Sequence, residues 1–328
     1  MDGLLVVDKP RGLSSHDVVA RVRRMLREKR IGHAGTLDPL ATGVLVLCVG
    51  QATRLSEYLL GEDKSYVGVI RLGQRTTTDD AEGEVIETRP LPTITDETLR
   101  RLEAQFTGAI EQIPPQFSAI QKGGQRAYAL ARQGRPVELA PRRVTVYELQ
   151  LVECEGDDPG TETDEGYVAS PRGAADAAAP TGYLRIAVRC SAGTYIRALA
   201  RDIGEALGCG GHLVALRRTQ AGRFTLADAV TLDQIEAATR GGAAAALLLP
   251  MDRAVADWPA VNLSDDQARR LRMGQAVVPS GPIAALESVS ASGVRVYDSR
   301  RTFVAIAHWD GTQLKPAKVF DATPPLVR

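Results

Sequence analysis

The chain has 328 residues, 44% of them hydrophobic, and equal numbers of acidic and basic side chains give a formal net charge of zero. This length exceeds the usual single-domain size and favours one large domain plus a smaller one. Without a signal peptide or an apolar run long enough to cross a bilayer, the sequence argues against a secreted or membrane protein, and we expect it in the cytoplasm.

Charge is segregated along the chain, although the total is zero. Basic residues crowd two stretches, formed by Arg21, Arg23, Arg24, Arg27, Lys29 and Arg30 and by Lys122, Arg126, Arg132, Arg135, Arg142 and Arg143. Acidic residues collect instead at residues 153–165. The excess of arginine over lysine suits forked contacts with phosphates, but a GC-rich coding bias explains it equally well.

The first predicted helix runs from about Asp17 to Lys29, with Ser14 or Ser15 as its cap. Its valines fall on one face and its arginines on the other, as in an amphipathic surface helix. A charged helix face is usually only solvated. Here it lies directly before a distinctive loop, so contact with phosphates is the alternative.

The loop at residues 33–43 reads HAGTLDPLATG and holds a single carboxylate, that of Asp38. Pro39 drives Asp38 toward an extended backbone, and Gly35 and Gly43 allow angles or close approaches that a side chain would block. An ordinary Asp-Pro turn is the structural alternative. The glycine spacing matches neither a dinucleotide fingerprint nor a P-loop, so the pattern favours an acid presented to a substrate.

Strand-like and helical runs alternate irregularly after this loop. We predict strands at residues 44–49, 66–72, 144–152 and 184–190, and helices at residues 96–106 and 195–207, the latter ended by Gly208. This mixture lacks a strict βαβ repeat and therefore favours an α+β sheet. Cys48, Cys154, Cys190 and Cys209 are scattered, and Cys209 with His212 gives at most half a metal site, so we expect buried thiols.

Two later segments differ from the rest. Residues 156–182 are rich in Gly, Asp, Ala and Pro, which predicts a long mobile surface loop inserted in a hairpin. After Asp252, a capping box at Ser264 opens a short helix that ends at Gly274. Strand-like runs follow at residues 294–297, 303–308 and 315–320, which indicates a small β-rich module.

Five blocks, in this order, resemble the TruB family of bacterial tRNA pseudouridine synthases. They are GLLVVDKP at residues 3–10 with Gly12 and Ser14-Ser15; HAGTLDPLATG; Lys64-Ser65-Tyr66 with Arg71-Leu72-Gly73 and Thr76 to Asp80; IPPQFSA at residues 113–119 with Gly124, Ala127-Tyr128 and Ala131-Arg132; and CSAGTYIR at residues 190–197 with Gly210-Gly211-His212 and Leu216-Arg217-Arg218-Thr219. The resemblance covers roughly residues 1–255.

The resemblance implies an α+β pseudouridine synthase fold, with a mixed, largely antiparallel sheet, flanking helices and a central cleft. Residues 1–255 would form the catalytic domain, with an RNA-gripping insertion at residues 113–143. Residues 256–328 would form a PUA-like RNA-binding domain. A stabilising appendage is the alternative for this last part.

The implied activity is isomerisation of uridine 55 in the T loop of tRNA to pseudouridine, without metal or cofactor. Asp38 would be the nucleophile, attacking C1′ or C6, and Arg197 would keep it ionised and placed. Tyr66 would stack on the uracil and could move the C5 proton. Tyr195 and Leu216 would line the pocket, and His33 would fill the space that the extruded base leaves.

The resemblance also implies how the substrate is held. The basic residues expected to contact RNA are Arg126, Arg132, Arg142, Arg143, Arg217 and Arg218. Lys9, Gly35, Pro39 and Gly43 would support the loop structurally. The expected partner is tRNA, bound through its T arm, elbow and acceptor stem by a monomer that needs no guide RNA and no obligate protein partner.

Three other functions are alternatives to this one. A non-catalytic RNA-binding or tRNA-folding protein on the same fold would not need Asp38, Tyr66 and Arg197, all of which are intact. A guide-RNA-dependent relative is expected to lack the full insertion at residues 114–143, which is present here. A hydrolase built on a lone acid would need a second placed carboxylate or a metal set near Asp38.

Overall fold

The computed structural model describes residues 1–118, 139–153, 182–280 and 293–321, together with the main chain of 121–122, 125–126, 161–163 and 166–168. The described helices are α1 (Ser15–Leu26), α2 (Ser56–Leu60), α3 (Asp96–Phe106), α4 (Ile196–Ala206), α5 (Leu232–Arg240) and α6 (Asp265–Arg272), with short 3-10 helices at Gly50–Leu55, Leu226–Asp228, Ala244–Leu247 and Met251–Val255. None of these helices is long and apolar enough to span a membrane.

Strands dominate the rest of the described chain. They are β1 (Gly3–Lys9), β2 (Ile31–His33), β3 (Thr42–Val49), β4 (Lys64–Leu72), β5 (Gln74–Thr76), β6 (Val85–Thr88), β7 (Gly108–Gln112), β8 (Gln121–Lys122), β9 (Gln125–Arg126), β10 (Arg142–Glu153), β11 (Thr161–Thr163), β12 (Gly166–Val168), β13 (Tyr183–Cys190), β14 (Gly211–Ala221), β15 (Phe224–Thr225), β16 (Ala260–Asn262), β17 (Val294–Tyr297), β18 (Phe303–Trp309) and β19 (Leu314–Val319).

The main sheet has nine strands in the order β1-β3-β14-β4-β13-β10-β7, with β2 paired to β3 and β15 to β14. Within this sheet as described, β3 and β14 run parallel and the other pairs run antiparallel. The predicted α+β class with a mixed, largely antiparallel sheet is therefore confirmed. The parallel pair matters for function because it brings Arg217 and Arg218 beside Thr42 and Gly43.

The centre of the sheet is buried on both faces, which explains the unbroken apolar run of β3. Leu45, Leu47 and Val49 pack into one hydrophobic cluster, together with the apolar sides of α1 and α4. Val44, Val46 and Cys48 alternate with them and pack into a second cluster. A strand covered on both faces has no polar side to present, so its sequence is apolar throughout.

Most predicted boundaries hold within a residue or two, and α1 is the exception. Ser14 caps α1 through a capping box with Asp17. The helix ends at Leu26, three residues before the predicted end, because Arg27 adopts the left-handed conformation (φ 52°) and its N–H returns to the Arg23 carbonyl. The predicted extension to Lys29 was wrong. A non-glycine residue at a helix end gives no local stop signal of the kind that glycine does.

The segment predicted as a mobile loop lies mostly outside the described residues. Strands β10 and β13 are antiparallel neighbours, so the segment between them joins two strands of a hairpin, as expected. Within it, the main chain of β11 pairs with that of β12. The sequence analysis did not predict this short ribbon.

The carboxyl-terminal region forms its own four-stranded sheet, β16-β17-β18-β19, with a separate apolar cluster beneath α6. The predicted capping box of Ser264 and Gln267 is present. This module also packs on the main sheet, since Ile306 and Phe320 belong to the same cluster as Leu4 and Val6 of β1.

Candidate active site

Asp38 lies in the loop between β2 and β3 of the main sheet. Just after this loop, Gly43 in β3 has a φ of 92°, and a Cβ there would lie 2.3 Å from the Arg218 carbonyl oxygen. Only glycine fits this contact, because the parallel pairing of β3 with β14 presses the two main chains together. Gly35 also has a positive φ, of 109°.

Two buried polar side chains brace the loop from below. The Ser15 hydroxyl accepts a hydrogen bond from the Leu37 N–H at 2.8 Å and donates to the Leu37 carbonyl at 3.0 Å. Lys9 Nζ donates to the carbonyls of Pro10, Leu13 and Pro39. Burial lowers the pKa of Lys9 to about 8. These contacts fix the main chain on both sides of Asp38.

Arg197, near the start of α4, pairs with Asp38 through two nitrogens. Its Nε lies 2.9 Å from Asp38 Oδ2, and its Nη2 donates to Oδ1 at 3.2 Å. The Arg197 side chain is only 6% exposed, whereas that of Asp38 is 37% exposed. The guanidinium is therefore buried behind a carboxylate that keeps one side open.

Three further acceptors surround the same guanidinium. Nη1 donates to the Thr78 carbonyl at 3.1 Å and lies 3.3 Å from the buried Asp80 carboxylate, and Nη2 donates to the Phe117 carbonyl at 2.9 Å. Thr78 and Asp80 follow β5, and Phe117 follows β7. Segments distant in sequence thus meet on one side chain, whose orientation they fix.

Burial raises the pKa of the Asp38 carboxyl above its usual value. The positive charges of Arg197 and Lys9 oppose this rise, and the negative charge of Asp80 adds to it. A carboxylate acts as a nucleophile only while it is ionised, so the charge of Arg197 matters for such a role.

A cavity of about 280 Å³ opens beside Asp38. Its walls include three predicted pocket residues, Tyr66 on β4, Tyr195 at the start of α4 and Leu216 on β14, together with Arg197. Lys64 also lines it, and burial lowers the pKa of that amine to about 8. Aromatic and apolar walls with a few charged groups are usual in sites for small, flat ligands.

Tyr66 and Arg218 are opposite each other on β4 and β14. Burial raises the pKa of the Tyr66 hydroxyl, and a hydrogen bond with Arg218 together with the charge of that residue counteracts the rise. The Arg218 guanidinium also donates to the carbonyls of Val44 at 2.7 Å and Gly35 at 3.2 Å. It therefore connects the loop of Asp38 to the tyrosine.

The structure places Arg217 and Arg218, which were expected to contact RNA, on the central strand β14. Both are buried, and the two Nη atoms of Arg217 contact the Asp8 carboxylate at 2.9 and 3.2 Å. Two adjacent arginines are usually found on a protein surface, but the central position of β14 buries both side chains. Arg217 holds β1 through Asp8, and Arg218 holds the loop that carries Asp38 and also lines the smaller cavity.

A second, larger cavity of about 810 Å³ shares Asp38 and Arg197 with the first. His33, at the end of β2, lines it and meets the ring of His16 edge to face at 5.2 Å. Its Nδ1 is buried without a hydrogen-bond partner among the described residues. Burial, followed by the charges of His16 and Arg218, lowers the pKa of His33, so the ring is predominantly neutral at pH 7.

Arg142 and Arg143, also predicted to contact RNA, line neither cavity. Arg142 and Arg143 are exposed at the start of β10. For Arg126 the structure describes the main chain only, within β9, and Arg132 lies outside the described residues.

Four residues that hold the site were not predicted as site residues, namely Ser15, Thr78, Asp80 and Phe117. All four stood inside blocks that carried the family resemblance, but no local pattern indicated their contacts with Arg197 or with the Asp38 loop. Cys209 and His212, the possible half of a metal site, have no further ligands beside them, since the described residues contain no group of three or more His, Cys, Asp or Glu side chains arranged to hold a metal. Cys48, Cys190 and Cys209 are buried free thiols, and Cys154 lies outside the described residues.

Three protein-family models match consecutive parts of the chain. Residues 23–196 match the TruB family pseudouridylate synthase N-terminal domain. Residues 197–256 match the tRNA pseudouridylate synthase B C-terminal domain. Residues 259–320 match the model described as pseudouridine synthase II TruB, C-terminal.

Curated relatives match over nearly the whole length. A tRNA pseudouridine synthase B from Ralstonia nicotianae is 46% identical over 321 residues, covering 97% of this chain and 93% of the relative. Proteins of the same name from Thermobifida fusca and Pseudomonas putida are 50% and 43% identical, covering 85% and 93% of this chain and 88% and 91% of the relatives.

Solved structures agree in fold. A chain from the crystal structure of a Cbf5-Nop10-Gar1 complex superposes with a TM-score of 0.66 at 24% identity, covering 98% of this chain and 84% of that chain. A chain from an H/ACA RNP bound to a substrate RNA containing 2′-deoxyuridine gives a TM-score of 0.66 at 23% identity, covering 97% and 85%. At this identity the likeness bears on the fold alone, and it confirms the predicted fold.

Proposed function

The chain belongs to the TruB family of pseudouridylate synthases, and we propose that it converts uridine 55 in the T loop of tRNA to pseudouridine. The observation that supports this most strongly is the Asp38 carboxylate, held at two points by a buried arginine and open to a cavity on one side. The curated relatives carry the name tRNA pseudouridine synthase B, which favours tRNA over other RNAs as the substrate class.

The reaction breaks the bond between C1′ and N1 of uridine, turns the base and joins C5 to C1′. It needs no electron donor and no transferred group. Asp38 acts as the nucleophile, at C1′ or at C6, and leaves when the carbon–carbon bond has formed. Arg197 keeps Asp38 ionised by opposing the effect of burial, and its fixed contacts aim the carboxylate at the cavity.

Tyr66 takes the second role in the chemistry. Its ring forms a wall of the cavity that holds Asp38, which suits stacking on the uracil. After the new bond forms, C5 must lose a proton, and the Tyr66 hydroxyl is the group assigned to move it. Burial raises the pKa of this hydroxyl, and the positive charge of Arg218 beside it opposes the rise, which helps the hydroxyl to give up its proton and act as a base.

A uridine stacked in folded RNA cannot reach Asp38, so the base must be extruded. We assign to His33 the task of occupying the vacated space. An uncharged imidazole suits stacking between bases, and the depressed pKa of His33 favours that form. The position of His33 in the larger cavity, which shares Asp38 and Arg197 with the smaller one, supports this assignment.

RNA contacts are assigned to exposed basic residues. The outer face of α1 and the start of β10 carry Arg21, Arg24, Arg142 and Arg143, all exposed. Arg126, Arg132 and the insertion at residues 113–143 remain part of the proposed grip. The module at residues 256–328 is proposed to bind the acceptor-stem side of tRNA as a PUA-like domain.

A guide-dependent mode of action is the second candidate, because the solved structures of similar fold include an H/ACA RNP. The curated relatives at 43–50% identity, against 23% for that chain, favour action without a guide. We therefore propose a monomer that acts alone on tRNA.

One experiment tests the function. The purified protein is incubated alone with an unmodified tRNA transcript, and pseudouridine is located by chemical labelling and mass spectrometry. We expect one product, at position 55, and none in a transcript that carries cytidine there. Product at another position, or product only after a guide RNA is added, contradicts the proposal.

A further inference from the structure

The segment that opens the predicted insertion is tied to the helix that carries Arg197. We call Gln112–Ser118 the root of the insertion. Pro114 and Pro115 in the root are buried, and each has a fixed φ, so the path from Gln112 to Phe117 is short and stiff. The Phe117 carbonyl at its end accepts the hydrogen bond from Arg197 Nη2 at 2.9 Å.

Gln112 joins the root to the start of α4 by a pair of hydrogen bonds. Its Oε1 accepts from the Tyr195 N–H at 2.8 Å, and its Nε2 donates to the Tyr195 carbonyl at 3.0 Å. The side chain is 1% exposed, and the amide therefore has little access to water. Tyr195 itself makes no side-chain cap to α4, so the Gln112 amide supplies the contact that anchors this end of the helix.

The two ends of this link are both fixed to functional parts. Gln112 is the last residue of β7 and pairs with Arg142 of β10, so it is attached to the main sheet. Tyr195 lines the smaller cavity, and Arg197 follows two residues later. Any movement of Tyr195 relative to the sheet shifts the guanidinium against Asp38, whose loop is held separately by Ser15 and Lys9.

From these contacts we propose that Gln112 is a positioning residue for catalysis: by clamping the main chain of Tyr195 to the root of the insertion, it places Arg197 where it meets Asp38 and the Phe117 carbonyl together. This rests on the proposed function. It assigns to the root a part in turnover as well as a part in holding RNA, because the same short segment leads into the insertion.

The test is the pair of variants Gln112→Met and Gln112→Glu, assayed for pseudouridine formation in a tRNA transcript. Methionine keeps the volume and removes both hydrogen bonds. We expect kcat to fall about 10- to 100-fold, since misplacement by about 1 Å has effects of that order, with KM within about threefold. Gln112→Glu keeps the acceptor for the Tyr195 N–H and places its negative charge opposite Arg142. Its kcat should therefore lie between that of the parent and that of Gln112→Met.

A pH profile separates positioning from simple loss of fold. The charged groups that act on Asp38 are Arg197 from α4, Asp80 from the turn after β5 and Lys9 from β1. If Arg197 is displaced in Gln112→Met, Asp38 is ionised less readily, and the acid limb of kcat moves to higher pH. A fall in folded fraction alone would scale kcat equally at every pH.

Gln51→Met is the matched control. The Gln51 amide also accepts from a main-chain N–H and donates to the carbonyl of the same residue, Asp321, but Gln51 lines neither cavity that contains Asp38. We expect its kcat and acid limb to match the parent. The inference is overturned if Gln112→Met has the kcat of the parent, if its kcat falls equally at every pH, or if only its KM rises. If Gln112→Met does not fold, the same outcomes are judged on Gln112→Glu. Absence of product with the parent protein would instead refute the proposed function.

Discussion

Replacing Arg197 by lysine keeps the positive charge and removes the geometry, so it tests whether the shape of the guanidinium matters. Arg197 contacts five acceptor atoms: both Asp38 oxygens, one Asp80 oxygen and the carbonyls of Thr78 and Phe117. Three of these contacts are hydrogen bonds, made by Nη1 and Nη2, and the other two are ion-pair contacts. One ammonium nitrogen cannot reproduce the directions of a planar fork, so we expect two of the hydrogen bonds to be lost. At about 1.5–3 kcal/mol for each hydrogen bond that involves a charged group, the loss is about 3–6 kcal/mol.

If about 3 kcal/mol of that loss is felt in the transition state, the rate falls roughly 100-fold. The acid limb should also shift. Burial already raises the pKa of Asp38 and Arg197 opposes the rise, so a less well placed charge lets the pKa climb further and activity appears only at higher pH.

The measurement is single-turnover pseudouridine formation from pH 5 to 9, by release of tritium from C5 of labelled uridine in tRNA. Arg253→Lys is the control, because Arg253 pairs with Asp228 at 3.3 Å and lines neither cavity that contains Asp38. A rate for Arg197→Lys within about threefold of the parent, with the acid limb unmoved, would refute the reasoning.

Four further outcomes are expected. Asp38→Asn should form no pseudouridine yet keep tRNA affinity within about tenfold, by filter binding; any turnover contradicts its role. Tyr66→Phe should bind tRNA normally and accumulate cleaved or adduct species in quenched reactions, and near-normal turnover would reduce Tyr66 to stacking. Replacing exposed Arg142 and Arg143 by alanine should raise KM for a T-loop hairpin and for whole tRNA alike and flatten the salt dependence. Chelators should leave the rate unchanged once tRNA is folded, and rescue by added zinc would contradict this.

The parts of the molecule that could be predicted from sequence are those governed by local chemistry. Gly35, Pro39 and Gly43 predict a shaped loop because each restricts or frees its own backbone. The apolar run of β3, the serine cap of α1 and the capping box of Ser264 are equally local. The structure has them where expected, with Ser14 rather than Ser15 as the cap.

The surroundings of Arg197 could not be derived in this way. Thr78, Asp80 and Phe117 meet one guanidinium from two segments far apart in sequence, and no periodicity in either segment indicates the other. The burial of Arg217 and Arg218 could not be derived from the local sequence either. Their burial depends on β14 lying between β3 and β4, which is a property of strand order rather than of the basic pair itself.

The carboxyl-terminal module shows why binding and stability must be tested by different changes. If the module only bound RNA, truncation after Asp252 would weaken binding of whole tRNA and spare a T-loop hairpin. In the structure Ile306 and Phe320 share an apolar cluster with Val44 and Val46 of β3, the strand that follows the Asp38 loop. Truncation would uncover that face of the sheet, and the exposed apolar surface would destabilise the catalytic domain on every substrate. Equal losses of activity on whole tRNA and on the hairpin after truncation therefore do not argue against RNA binding by the module. Substitutions of its exposed charged residues leave the shared core intact, and they test RNA binding separately from stability.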